Sequence, residues 1–179
     1  GSGSVIHAMH HEQDIRQMGG LKSKMPITYI TFLIGTLAIT GFPFLSGFFS
    51  KDEILIAAFE HNKVLWALAV FAAMMTAYYM FRLYFLTFNG KFRGTHEQEH
   101  HLHESPSAMT IPLVILAILS IIGGYVGIPE FILHGAHSLK EFLAPVFAAS
   151  NDVLKAHEVS HQTEWLLTGV STALILLVV

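Results

Sequence analysis

The sequence predicts an all-α fold, a polytopic membrane helix bundle in which one transmembrane helix is discontinuous. Three observations carry that expectation. The 179 residues are 53% hydrophobic and only 13% charged, about half the charged share of an ordinary soluble domain. Apolar runs recur along the chain at lengths near the ~20 residues that a bilayer-crossing helix needs. One of these runs is too long for a single crossing and carries Gly and Pro at its centre. Lipid offers the backbone no hydrogen-bond partners, so each run reads as helix.

The elements follow in chain order. Residues 1–26 read as the end of a preceding helix and a cytoplasmic loop. Within them Gly1–Ser4 suits either a linker or a tightly packed helix end, and Glu12 to Lys24 forms a polar turn. Residues 27–60 are the discontinuous helix and 64–88 the next span, which carries Tyr78, Tyr79, Arg82 and Tyr84. Residues 89–110 form a cytoplasmic His/Glu loop, and 111–133 a further span with Gly123-Gly124 inside it. Residues 134–164 make an extracytoplasmic connection. There Leu139, Phe142, Leu143, Val146 and Phe147 recur at helical spacing, as in a helix lying on a membrane surface or a partner. Residues 165–179 are a truncated span: from Trp165 the run would rise about 22 Å, against about 30 Å of hydrocarbon. With Gly1 in place of an initiator Met, the chain reads as a piece cut from a longer one.

Orientation follows from the positive charges. Arg16, Lys22 and Lys24 precede the first span and Lys91 and Arg93 follow the second, while Lys63, Lys140 and Lys155 lie on the other side. That bias places the N-terminal loop in the cytoplasm, and Trp66 and Trp165 stand at span ends where aromatic belts belong.

Several chemistries are excluded. The absence of cysteine removes disulfides, iron–sulfur ligation and thiolate catalysis from this chain. A net charge of −3 without a basic stripe excludes nucleic acid as a partner. No Gly-rich nucleotide loop, nucleophile elbow or metalloprotease motif occurs. No cofactor-binding or metal-ligating residue is therefore assigned.

The informative segment is Gly41-Phe-Pro-Phe-Leu-Ser-Gly-Phe-Phe-Ser-Lys-Asp-Glu-Ile-Leu55. Ile27 to Phe59 would rise about 50 Å as one straight helix, which overshoots the bilayer. Pro43 removes a backbone donor between Gly41 and Gly47. Ser50-x-x-Glu53 has the form of a capping box, so a second helix is expected to start at Lys51. There the helix dipole and burial both oppose an ammonium, while Asp52 and Glu53 favour it. Successive helical residues point about 100° apart, so Lys51 and Asp52 are free to face different partners. Hydropathy also admits a plainer arrangement, in which Ile27–Phe49 crosses alone and Lys51, Asp52 and Glu53 are interfacial charges.

Two stretches carry a family resemblance. Ser46-Gly-Phe-Phe-Ser-Lys-Asp-Glu-Ile-Leu55, with His10-His-Glu-Gln-Asp-Ile-Arg-Gln-Met-Gly-Gly-Leu21 upstream, resembles the membrane subunit L family of complex I, the proton-pumping NADH:quinone oxidoreductase. The large subunit of multisubunit Na⁺/H⁺ antiporters is similar. The resemblance covers essentially the whole chain and implies an antiporter-like bundle, its spans matching the twelfth to fifteenth of a complete subunit. In the family a broken helix carries a lysine followed by an aspartate, the late part of a lysine–glutamate–lysine–histidine relay. Lys51 and Asp52 match that pair, so Lys51 is expected to relay protons and Asp52 to tune it.

The resemblance further implies partners among the other complex I membrane subunits, with NADH, FMN, iron–sulfur clusters and quinone in partner subunits and no redox chemistry here. It implies a multi-pass location in a bacterial plasma membrane, or in an organellar inner or thylakoid membrane. The alternative function is a subunit of a multisubunit cation/proton antiporter. Secondary candidates are Glu53, Arg82 and His7. Arg82 also suits snorkelling from a span end, and His7 also suits a packed polar role. Glu12, Asp14 and Arg16 are expected to order the loop, and the His96–His103 tract to be a solvated loop rather than a metal site.

Overall fold

The computed structural model describes residues 1–127, 142–146 and 161–178. All regular structure among the described residues is helical. We label the helices α1 (Ser2–Ala8), α2 (Pro26–Thr40), α3 (Ser46–His61), α4 (Lys63–Phe88), α5 (His96–His101), α6 (Ser107–Ile122) and α7 (His161–Val178). A 3-10 turn, Gly123–Gly127, extends α6. Residues 142–146 are also helical. The rest of the amphipathic connection, 134–141 and 147–160, lies outside the described residues.

Local chemistry accounts for some helix ends. Pro26 opens α2, where a missing N–H costs nothing. Asn62 separates α3 from α4, and its side-chain oxygen accepts from the Val64 N–H at 2.7 Å, an N-cap that fixes the start of α4. α4 runs from Lys63 to Phe88, a helix that covers residues 64–88 with one more at its start. α6 begins four residues before the expected 111, after Pro106, and contains Pro112.

Two helical stretches are long and apolar enough to cross a membrane, Lys63–Phe88 and Ser107–Gly127; α2 and α7 are apolar but shorter. Both long helices turn large apolar side chains outward, among them Leu68, Phe71 and Met75 on α4 and Ile115, Leu116 and Leu119 on α6. Such faces suit lipid or further protein rather than water.

α2 packs between α4 and α6, α3 packs on α4, and α7 lies against α3 and α4. The buried apolar core gathers at the N-terminal end of α2. There Val5, Met9, Met18, Leu21 and Met25 meet Tyr84 and Phe88 of α4 and Leu102. The polar loop is tied to this core. Glu12 accepts from the Gln13 and Asp14 N–H groups, both at 2.8 Å. Asp14 pairs with Arg16 at 2.7 Å, and the Arg16 hydrogen bond holds the Asp14 carboxyl down at about 2. Arg93 clamps the loop from outside, donating to the carbonyls of Arg16 (3.0 Å), Ile15 (3.2 Å) and Leu86 (2.6 Å). Glu12, Asp14 and Arg16 are thus engaged in bonds within the loop.

Candidate functional site

The site grows from the interruption between α2 and α3. Gly41 adopts a left-handed conformation (φ 77°, ψ 40°), which costs an L-residue with a Cβ about 1–2 kcal/mol and glycine almost nothing. The Gly41 N–H reaches the Ala38 carbonyl at 3.1 Å and the Phe42 N–H the Leu37 carbonyl at 2.9 Å. These two bonds form a Schellman motif that ends α2. Phe44 is also left-handed, with φ 68°, and the chain re-enters helix at Ser46.

That start corrects one sequence expectation. The second helix begins at Ser46, not Lys51, and its N-cap, Leu45, makes no side-chain capping bond. Ser50 lies inside the helix, its hydroxyl near the Ser46 carbonyl at 3.4 Å, so Ser50-x-x-Glu53 is not a capping box. Glu53 is exposed. Lys51 therefore sits in the second turn of α3, away from its positive end.

Lys51 reaches back instead to the other half-helix. Its Nζ donates to the Thr40 carbonyl at 3.2 Å, one of the carbonyls left free at the C-terminus of α2. The ammonium thus lies at the negative end of the α2 dipole, where a cation is favoured. Its stem lies over Gly41; a methyl group there would stand 2.7 Å from Lys51 Cε. Gly47 fits its backbone against the Ala38 carbonyl, so the first turn of α3 runs beside the last turn of α2. The joint is held from α6 as well. Gly124 lets the 3-10 turn approach the Ser46 backbone, and the Tyr125 hydroxyl donates to the Phe44 carbonyl at 3.2 Å. Phe49 and Tyr125 rings meet edge to face at 5.5 Å. Backbone groups freed by the break are thereby partly satisfied again, as buried irregular backbone requires.

Asp52 faces elsewhere. It is 2% exposed, makes no ion pair with Lys51 within 4.0 Å among the described residues, and accepts from the Ser171 hydroxyl of α7 at 3.1 Å. Its Oδ2 is buried without a hydrogen-bond partner among the described residues. Lys51 and Asp52 thus project from one turn of α3 toward two different helices. The remaining candidates do not join them: Arg82 on α4 and His7 on α1 are both exposed, like Glu53.

The His/Glu tract holds a residue that local sequence did not single out. His96–His101 is a short helix with a Thr95/Gln98 capping box, and Gln98 donates to the Met9 carbonyl at 3.2 Å, so the tract is docked rather than a free loop. Glu104 then caps α2 from a distance. Its carboxylate accepts from the Ile27 N–H (2.7 Å), the Thr28 N–H (3.2 Å) and the Thr28 hydroxyl (2.6 Å). Burial raises the Glu104 carboxyl, but hydrogen bonds from Thr28, Ser105 and Ile27 outweigh it and hold the group below its ordinary range. No group of three or more His, Asp or Glu is placed to hold a metal among the described residues.

Comparison with known proteins gives this geometry a context. Residues 1–76 match the family described as NADH:quinone oxidoreductase/Mrp antiporter, transmembrane. The chain is 46% identical to NAD(P)H-quinone oxidoreductase chain 5 of Picosynechococcus, with 94% of this chain and 28% of the relative covered. It is 48% identical to NADH-quinone oxidoreductase subunit L of Rhodobacter capsulatus over 73% of this chain and 20% of that protein. To the NAD(P)H-quinone oxidoreductase subunit 5 of Paulinella chromatophora the identity is 48%, over 72% of this chain and 24% of the relative. The chain therefore spans about a quarter of the length of the relatives it matches. It belongs to the membrane-protein family of NADH:quinone oxidoreductase and Mrp antiporter subunits, among relatives of the subunit L and chain 5 type.

Proposed function

We propose that this chain is part of a proton-translocating membrane subunit of an NADH:quinone oxidoreductase, and that Lys51 is a proton-relay residue in it. The observation that carries the reading is the seat of the amine: Lys51 Nζ on the free Thr40 carbonyl, at the joint of two half-helices. An amine held by one neutral carbonyl and a helix dipole is stabilised enough to bind a proton, yet among the described residues no carboxylate lies within 4.0 Å to lock it there. Neutral partners leave proton affinity responsive to charge elsewhere in the protein, as a relay needs. Broken helices lining hydrated cavities place ion sites at such joints in other transporters.

On this reading the described part is a polytopic antiporter-like bundle, with α2 and α3 as the two halves of one transmembrane element and α4 and α6 as complete spans. The loop of residues 10–24 and the α5 segment face the cytoplasm. Redox chemistry, with NADH, FMN, iron–sulfur clusters and quinone, belongs to partner subunits; the chain's own task is to hold and release protons. Further membrane subunits and lipid cover the outward apolar faces of α4 and α6 in a bacterial or organellar membrane. The similarity to chain 5 and subunit L proteins favours this over the cation/proton antiporter alternative.

The test is Lys51→Ala in the complete subunit, assembled in its complex. The expected result is NADH oxidation with a loss of protons pumped per NADH. Full pumping in an assembled complex rejects the relay role.

A further inference from the structure

α7 reads as an apolar helix, yet Thr168, Ser171 and Thr172 are spaced i, i+3, i+4 and fall on one face. That face meets α3. The Ser171 hydroxyl donates to Asp52 Oδ1 at 3.1 Å, and the same hydroxyl lies 3.0 Å from the Thr168 carbonyl. A serine has one hydroxyl hydrogen, so it serves one of these acceptors at a time. It can turn to the carboxylate when Asp52 is ionised and back to its own helix when Asp52 is protonated.

The surroundings are shielded from bulk solvent but polar. Ser171 is 1% and Thr168 6% exposed. Asp52 Oδ2 and the hydroxyls of Thr168 and Thr172 are buried without a hydrogen-bond partner among the described residues. Buried oxygens in native proteins are almost always hydrogen-bonded, through ordered water where side chains do not suffice. Three such oxygens beside one Asp–Ser bond exceed what apolar packing of α7 explains.

We propose that the hydroxyl face of α7 is the proton-accepting side of Asp52: Ser171 is a positioning residue that fixes Oδ1, and Thr168 and Thr172 hold water against Oδ2. The inference rests on the proton reading above. A proton leaving the Lys51 ammonium through water makes the amine neutral and the Asp52 carboxylate a carboxylic acid. The carboxylic acid then passes the proton to water along α7, and both groups return to their starting state when Lys51 is protonated again. Lys51, facing α2, and Asp52, facing α7, thereby give the proton a change of helix at each step.

The experiment uses the complete complex with Ser171→Ala, Ser171→Thr, and the double variant Thr168→Val/Thr172→Val, which keeps side-chain shape while removing hydroxyls. Expected are a loss of protons pumped per NADH for Ser171→Ala and for the double variant, comparable with that of Asp52→Asn, and pumping retained by Ser171→Thr. Wild-type pumping in Ser171→Ala or in the double variant overturns the proposal. So does a Ser171→Thr variant as defective as Ser171→Ala, because bulk rather than the hydroxyl would then matter. If Ser171→Ala fails to assemble, the double variant and Ser171→Thr decide alone. A Lys51→Ala control that loses pumping while the α7 variants keep it rejects the α7 role and leaves the proton reading standing; a control that pumps normally rejects the proton reading itself.

Discussion

Replacing Gly41 by alanine attacks the joint without touching an ionisable group. Two costs add. At φ 77° an L-residue loses about 1–2 kcal/mol relative to glycine. The new methyl also occupies the space of the Lys51 stem, only 2.7 Å from Cε and 3.1 Å from Cδ. The lysine must then leave the Thr40 carbonyl, giving up a charge-assisted hydrogen bond of about 1.5–3 kcal/mol. Together these come to about 3 kcal/mol or more against the joint in its observed form, of which only the second concerns the seat of the amine. Gly35→Ala is the control. Gly35 lies within α2 with nothing within 4 Å of an added methyl, so alanine there is neutral or gains about 0.5–1 kcal/mol. NADH-driven pumping and thermal stability of the assembled complex are the readouts. Gly41→Ala should lose pumping and melt earlier, and Gly35→Ala should do neither. Equal behaviour of the two variants refutes the reasoning.

Other perturbations test the supports of the site. Glu104→Gln removes the carboxylate from the start of α2 and should cost about 1 kcal/mol, seen as faster amide exchange at Ile27 and Thr28; unchanged exchange contradicts the cap. Because the folded Glu104 carboxyl lies below its ordinary value of 4.5, its contribution is complete above that pH and is lost as pH falls through the lower folded value. Exchange at Ile27 in the native protein should therefore rise only in that acid window, and not in Glu104→Gln. Arg93→Lys should loosen residues 15–20, because an ammonium cannot reproduce the fork that reaches three carbonyls; faster limited proteolysis there is the expected sign. Gly124→Leu should push the 3-10 turn off Ser46, whose Cα lies 2.6 Å from an added Cβ, and impair pumping with Lys51 and Asp52 both intact.

What the sequence made legible follows the range of the forces involved. The α4 boundary was readable because the apolar run starts at Val64 and ends at Phe88; the Asn62 cap that fixes its start appears only in the structure. The interruption was readable too, since Gly41 and Pro43 act on their own backbone. The restart was not. Ser50 and Glu53 have the spacing of a capping box, but the helix had already begun at Ser46, where the left-handed Phe44 and the contact of Gly47 with Ala38 set the chain direction. Lys51 as a site was suggested by resemblance, whereas its seat on the Thr40 carbonyl is tertiary and has no local signature. The same holds for Glu104, which caps a helix start 77 residues earlier in the chain. Ser171 was hidden for a different reason: hydroxyls within an apolar run read as span, and only the approach of Asp52 gives them a role.

Accessibility of position 51 bears most directly on the account. These 179 residues contain no cysteine, so with any reactive cysteines elsewhere in the subunit replaced, Lys51→Cys can be followed with a membrane-impermeant maleimide, beside Thr95→Cys as an exposed reference. In sealed vesicles of either orientation, containing the complete complex, position 51 should stay unmodified while position 95 reacts from one side. Rapid labelling of position 51, at a rate matching position 95 from either face, would put that side chain in bulk water and contradict an amine held at an interrupted helix inside the bilayer.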